Sequence, residues 1–188
     1  MVDVIAARRP ELAGVAPLAS RAVMMAPLPP AARFILRARP AAMEAAAAPL
    51  GFRLPVVACR SVSAGIRSAL WLGPDEWLLL APAADGAAWQ AALEAAIGSL
   101  PHSLVDISHR QSGLTLSGAA ATSVLNVGCP LDFDPAAFPV GMCTRTVLGK
   151  AEIVLWRTGA QGFHIEAWRS FLPYVWGFLA EAAREFTG

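Results

Sequence analysis

Residues 71–82, WLGPDEWLLLAP, place two short apolar runs on either side of Gly73-Pro74-Asp75-Glu76. Two carboxylates between two tryptophans invite a catalytic reading. Adjacent residues on extended backbone point to opposite faces, however, so Asp75 and Glu76 do not converge on one reacting atom. The same four residues suit a turn, since Pro in the second position presets φ and Asp is a common turn residue. Ala69–Leu72 and Trp77–Ala81 then pair across it as a β-hairpin.

Upstream of the hairpin, Arg33–Ala38 reads as a strand. Pro40 suits the first position of a helix through the Ala-rich stretch, which Gly51 closes. Val56–Arg60 is a second, weaker strand. Downstream, Asp85 is a helix N-cap, and Trp89, Ala92, Leu93, Ala96 and Ile97 recur at helical spacing up to Gly98. Leu104–Ile107 is the next strand. The second half follows the same plan. Strands are expected at Gly113–Leu116, Thr144–Leu148, Glu152–Trp156 and Phe163–Ala167, with a short helix over Gly118–Val127. A last helix begins near Ser170 and carries Leu172, Val175, Trp176, Leu179 and Phe186 on one face.

Set together, WLGPDEWLLLA and WRTGAQGFHIEA match as tryptophan, polar Gly-containing turn, aromatic and apolar strand, with a tryptophan-bearing helix to follow. A functional dyad would not be replaced by Gly-Ala-Gln in its own repeat, whereas a turn can be, so Asp75-Glu76 is read as a turn. The expected fold is α+β: two ferredoxin-like units, each an antiparallel sheet with helices on one face. They occupy residues 33–108 and 109–188, behind a Pro/Ala-rich, poorly structured arm over residues 1–32 that lies across another chain.

The chain has 188 residues, 56% hydrophobic and 15% charged, against about 45–50% and about 25% for average soluble domains. Such a chain buries an unusually large interior or offers apolar surface to a partner. A net charge of +1 gives no electrostatic reason to expect nucleic acid or an anionic membrane. The longest uncharged run, Gln111–Leu131, carries Ser, Thr, Asn, Gly and Pro throughout, so no membrane span is expected. Cys59, Cys129 and Cys143, an odd set without close pairing, fit a reducing cytoplasm and are read as small core hydrophobes.

No catalytic residue is assigned. His102, His109 and His164 form no closely spaced ligand pair with one another or with a cysteine, so no metal site is assigned either. Gly113-x4-Gly118 lacks the Lys-Ser/Thr ending of a phosphate loop. Asp106-Ile107-Ser108-His109-Arg110 is the densest polar cluster and reads first as a capped strand end, with a substrate or partner contact between the units as the alternative. Trp89, Trp156, Trp168 and Trp176 fall at core spacing.

The stretches LWLGPDEWLLLAP, VDISHRQSGLTLSG, GCPLDFDPAAFPVGMCTRTVLGKAEIVLWRTG and FHIEAWRSFLPYVWGFL, in this order from about Arg33 to the end, resemble the gamma subunit of heterotetrameric sarcosine oxidase. That resemblance implies alpha, beta and delta partners in a bacterial cytoplasmic complex. The complex oxidises sarcosine to glycine with oxygen and tetrahydrofolate, giving hydrogen peroxide and 5,10-methylenetetrahydrofolate. FAD, FMN, NAD and zinc are expected in the other subunits, with no cofactor in this chain. The family is similar in fold to the folate-binding aminomethyltransferases, whose D-[VL]-S-H stretch is echoed by Asp106-Ile107-Ser108-His109. Those enzymes carry adjacent acidic residues where Ala151-Glu152 stands here. Glu152 is therefore the one folate candidate, and a non-catalytic assembly subunit is expected. The alternative is a stand-alone folate-dependent one-carbon transfer protein.

Overall fold

A computed structural model describes residues 11–186. The Trp71 hairpin forms from β5 (Arg67–Gly73) and β6 (Glu76–Pro82), with Trp71 opposite Trp77, Gly73 opposite Glu76 and a bulge between. The Asp75 carbonyl accepts the Ala38 N–H at 3.0 Å, fastening the turn to β3 (Ala31–Ala38). Along β6, Trp77, Leu79 and Ala81 face one core and Leu78 and Leu80 another, all buried. The run is apolar without alternation because both faces of the strand are covered.

The first sheet has the order β4-β5-β6-β3-β7, with β4 at Ser61–Ala64 and β7 at His102–Asp106. Helices α1 (Pro40–Leu50) and α2 (Gly86–Ile97) lie on its outer face, bringing Ala42, Ala46, Leu50, Trp89, Leu93 and Ile97 into the core with Phe34 and Trp77. The buried indoles are satisfied: Trp77 Nε1 donates to the Pro55 carbonyl at 2.8 Å and Trp89 Nε1 to that of Pro49 at 2.9 Å. Without the edge strand β4, the order β7-β3-β6-β5 with crossovers α1 and α2 is the ferredoxin-like arrangement.

The second sheet has the order β1-β2-β8-β11-β10-β9. Its strands are β1 (Leu18–Ala19), β2 (Met24–Pro27), β8 (Gln111–Ser117), β9 (Cys143–Leu148), β10 (Ala151–Gly159) and β11 (Gly162–Trp168). Helices α3 (Ala121–Asn126) and α4 (Leu172–Ala183) cover its outer face. The ferredoxin-like plan recurs with one substitution: the fourth strand, beside β8 as β7 is beside β3, is β2 from the N-terminal side. Backbone bonds mark the equivalence. Ile107 N–H donates to the Arg33 carbonyl at 2.8 Å, and Leu28 N–H donates to the Gly113 carbonyl at 2.9 Å. The helix-free faces of the two sheets pack together, giving a four-layer α+β structure. Among the described residues no helix is long and apolar enough to cross a membrane.

This corrects the reading of residues 11–32 as an unstructured arm. Leu12, Val23 and Met25 are buried in the second core, and the Ala22 carbonyl lies 2.2 Å from where a Cβ on Gly118 (φ 114) would sit. Only a glycine lets the two backbones meet this closely. A four-residue strand ending in Pro27 carries too little alternation to register in the sequence; its pairing with β8 is entirely long-range. The first ten residues of the expected arm lie outside the described residues.

Other boundaries move as well. Val56–Arg60 is not a strand; Val56 and Val57 are exposed, and the strand begins at Ser61. Cys59 sits in a turn at φ 58, half-buried, rather than on a strand in the core. Asp85 occupies the N-cap of α2 but makes no side-chain cap bond, reaching Arg67 at 3.6 Å instead. The last helix starts at Leu172, beyond Ser170. Ala92 and Ala96 are exposed, so the buried stripe of α2 is Trp89, Leu93 and Ile97.

Candidate functional site

Where the sheets meet, Leu70, Leu78, Leu80, Ile107, Cys143 and Val154 form an apolar seam. Burial pushes the Cys143 thiol up to about 12, so it stays protonated and unreactive there. A buried ion pair sits at one end of the seam. Arg33 of the first sheet donates from Nε to Glu166 Oε2 at 2.6 Å and from Nη2 to Oε1 at 3.0 Å; both residues are 1% exposed. Arg33 Nη1 also donates to the Ala31 carbonyl at 3.2 Å. His164 Nε2 lies 2.7 Å from Glu166 Oε1.

Burial pushes the Glu166 carboxyl up, but the His164 hydrogen bond and the charges of His164 and Arg33 outweigh it and hold the group below the usual carboxylate range. Gly113, the partner of Glu166 across β8–β11, makes the room. A Cβ there would come within 2.7 Å of Glu166 Oε1 and 3.2 Å of Arg33 Nη2.

Two openings flank the seam, and the internal repeat relates them. The larger, about 550 Å³, is walled by Leu28, Pro29, Pro30, Ile66, Leu80 and Pro82, with Trp156 and the Arg33–Glu166–His164 group on its inner side. Trp156 packs on His164, its cross-strand neighbour, with ring centroids 5.7 Å apart. Its Nε1 is buried with no acceptor among the described residues, a state that costs about 1–3 kcal/mol. The smaller opening, about 210 Å³, is lined by Val105, Arg110, Gln111, Arg145, Glu152 and Trp168, among others. The Gln111–Trp168 pair there is the counterpart of Ala31–Pro82 in the larger one.

Glu152, the folate candidate, stands exposed at the smaller opening. Its neighbour Ala151 points the other way, into the helix-side core, fully buried. An acidic residue at 151 would be buried among apolar side chains, so the adjacent acidic pair of the aminomethyltransferases does not fit this strand.

Asp75 pairs with Arg37 at the surface. Glu76 reaches across the seam to Arg145 of the second sheet, so the turn also clamps the two halves. In the Asp106–Arg110 cluster, Asp106 Oδ1 accepts the Ser108 N–H at 2.7 Å and Ser108 Oγ accepts the Arg33 N–H at 2.9 Å, a capped strand end. The Arg110 guanidinium lies 4.1 Å over the Trp168 ring. Trp168 is 39% exposed and not core, contrary to the reading from spacing.

The three histidines sit apart in the fold. His102 pairs with Glu94 of α2, His109 lies in the turn after β7, and His164 is on β11. Among the described residues no three His, Cys, Asp or Glu side chains gather as a metal-ligand group.

Sequence reasoning missed the Arg33–Glu166–His164 group. The available signal was the repeat itself. FHIEA places His164 and Glu166 where WLLLA has Leu78 and Leu80, and polar residues on a face that must be buried require a partner.

These features define an α+β protein of two face-to-face ferredoxin-like units, joined across the seam by the buried Arg33–Glu166 pair. A chain of this fold occurs in aminomethyltransferase T of the glycine cleavage system from Bartonella henselae, with TM-score 0.63 at 15% identity over 85% of this chain and 46% of that one. The chain belongs to the sarcosine oxidase, gamma subunit family, whose model matches residues 36–185. It is 44% identical over 117 residues to the sarcosine oxidase subunit gamma of Corynebacterium sp. (strain P-1), covering 62% of this chain and 57% of that protein. It is 40% identical over 143 residues to that of Arthrobacter sp, covering 76% and 70%. The match thus spans little more than half of the first of these relatives. A chain of the heterotetrameric sarcosine oxidase from Corynebacterium sp. U-96, solved in complex with pyrrole 2-carboxylate, superposes with TM-score 0.88 at 33% identity over 96% of this chain and 97% of that one.

Proposed function

We propose that this chain is a non-catalytic structural subunit of a heterotetrameric sarcosine oxidase in the bacterial cytoplasm, assembled with alpha, beta and delta subunits. The complex oxidises sarcosine to glycine with oxygen and tetrahydrofolate, releasing hydrogen peroxide and 5,10-methylenetetrahydrofolate. FAD, FMN, NAD and zinc belong to the other subunits. The observation that carries this reading is the near-complete superposition on a chain of a heterotetrameric sarcosine oxidase at 33% identity. The chain's own buried charges support it. Arg33, Glu166 and His164 are spent on one another across the seam, which suits holding two units in place rather than meeting a reacting atom.

The test is coexpression with the remaining subunits and purification through a tag on one of them. The chain should copurify at one copy per complex, resist high salt, and show no flavin absorbance or sarcosine-dependent oxygen uptake when purified alone. Stoichiometric flavin on the isolated chain, or a soluble monomer that ignores the other subunits, would defeat the reading. Calorimetric binding of tetrahydrofolate to the lone chain would bring the one-carbon transfer alternative forward.

A further inference from the structure

Two of the three cysteines face each other where the units join. Arg60, just ahead of β4 in the first unit, forms an isolated antiparallel bridge with Met142, just ahead of β9 in the second. The Cys143 N–H donates to the Cys59 carbonyl at 3.0 Å, and the Ser61 N–H to the Gly141 carbonyl at 2.9 Å. That register sets Cys59 directly opposite Cys143. Opposed residues of an antiparallel pair stand about 4.5–5.5 Å apart at Cα, inside the range of about 4.4–6.8 Å that a disulfide spans. The two thiols also sense each other. Burial does most to raise the Cys143 pKa, and a charge on Cys59 would raise it further. Their surroundings differ. Cys143 is fully buried and gives its thiol proton to the Trp71 carbonyl at 3.6 Å, whereas Cys59 is half-buried and within reach of small reagents. Among the described residues Cys59 is the only one other than glycine with a positive φ. Glycine would make that turn without strain, so the turn itself does not call for a thiol. Cys129, the third, sits in the helix-side core of the second sheet beside Thr146.

We infer that Cys59 and Cys143 are a redox site that a hydroperoxide oxidises to a disulfide, locking the two units together. The site does not depend on the subunit reading, although the complex proposed above releases a peroxide of this class. Cys59 Sγ attacks one peroxide oxygen, the O–O bond breaks, and a sulfenic acid forms as the thiol proton leaves in water. Cys143 Sγ then attacks the Cys59 sulfur. The S–S bond forms, the S–O bond breaks, and hydroxide leaves with the Cys143 proton as a second water. Two thiols and one hydrogen peroxide thus give one disulfide and two waters. Cys143 is inert toward reagents in solution, but its high pKa does not bar this second step. A pKa of about 12 leaves about one part in 10⁵ ionised at pH 7. A well-oriented neighbour offsets this with an effective concentration of about 10⁵–10⁸ M, and a thiolate of high pKa is the stronger nucleophile. Disulfides of reducing compartments are mostly of this transient, redox-sensing kind.

The test treats the full chain with hydrogen peroxide and maps its peptides without reduction. Wild type should lose two of its three thiols, yield a peptide pair joining Cys59 to Cys143, and regain both thiols with dithiothreitol. While oxidised, its urea unfolding midpoint should rise by at least about 1 M, because the bridge closes a long loop. Cys143→Ser should stop at a Cys59 sulfenic acid that dimedone captures. Cys59→Ser should keep both remaining thiols, and Cys129→Ser should bridge as wild type does. Four outcomes on wild type would overturn the site, and none needs a variant to fold: three thiols retained, a bridge to Cys129, a bridge between two copies of the chain, or oxidation of Cys59 that halts at sulfenic or sulfinic acid. A bridge that leaves the midpoint unchanged would refute the locking of the units. A chain that assembles with the other subunits but does not bridge would remove this site and leave the subunit reading standing. A chain that bridges but does not assemble would do the reverse.

Discussion

Strands β6 and β11 hold equivalent places in the two sheets, yet one reads Trp-Leu-Leu-Leu-Ala and the other Phe-His-Ile-Glu-Ala. On the helix side the two agree: Trp77 and Phe163, Leu79 and Ile165, Ala81 and Ala167 are all buried apolar. They diverge on the seam side, where Leu78 and Leu80 face His164 and Glu166 as counterparts. On these two strands the helix-covered face carries only apolar residues; the buried cation on that face of β10, Arg157, is satisfied by the Phe133 and Phe138 carbonyls. The seam accepts a carboxylate because the opposite sheet supplies Arg33 and the neighbouring strand supplies Gly113. Buried ion pairs add little net stability, and their removal one partner at a time is what costs. The pair is therefore best understood as fixing how the two units meet.

The comparison can be broken most severely on the side where the strands agree. Trp77→Ala and Phe163→Ala should each lower stability by about 3–5 kcal/mol, measured by urea unfolding, since both rings are fully buried. A loss at only one of them would show that the two cores are not equivalent. Glu166→Ala should cost about 3–5 kcal/mol by stranding the Arg33 charge in the interior. The double variant Arg33→Leu with Glu166→Leu, which makes the seam apolar as at Leu80, should recover most of that loss. If it does not, the ion pair contributes more to stability than to orientation.

Acid sharpens the same contrast. The folded pKa of Glu166 lies below its unfolded value of about 4.3, so its carboxylate contributes stability that is present above that pH and lost as pH falls through the folded pKa. Wild type should thus lose stability below about pH 4 more steeply than the double-leucine variant, read from unfolding midpoints across pH. The smallest effect belongs to the opening turn. Asp75→Asn with Glu76→Gln removes three ion pairs near the surface and should change stability by less than about 1 kcal/mol, leaving the turnover of the complex within about threefold. A hundredfold loss with the fold intact would restore the catalytic reading of those carboxylates.

The candidate site was only partly legible. Asp106–Arg110 stood out as a dense local polar cluster and Glu152 through the family resemblance, and the structure places Arg110 and Glu152 beside the smaller opening. Arg33 passed as one more residue of a strand, and His164 and Glu166 as the polar half of an alternation. Their meaning depends on which sheet covers the other face, and alternation along one strand cannot report that. Trp168 was misjudged for a related reason: it ends the seam face of β11, beside the smaller opening, where the opposite sheet does not cover it fully.

By itself the sequence determined the elements whose causes are local. Pro74 and Asp75 turn the chain between two apolar runs, Gly51 and Gly98 stop helices, and the matching of WLGPDEWLLLA with WRTGAQGFHIEA reveals the doubled α+β plan. Only the tertiary structure decided what joins residues far apart. It placed β2 from the N-terminal stretch as the fourth strand of the second unit, and it brought Arg33 and Glu166, 133 residues apart, to hydrogen-bonding distance. It also left the opening beside Trp168 narrower than the one beside Pro82. Turns and caps are set by the torsional preferences and hydrogen bonds of a few neighbouring residues. Burial on a shared face depends instead on which surface arrives to cover it, and no short stretch of chain contains that information.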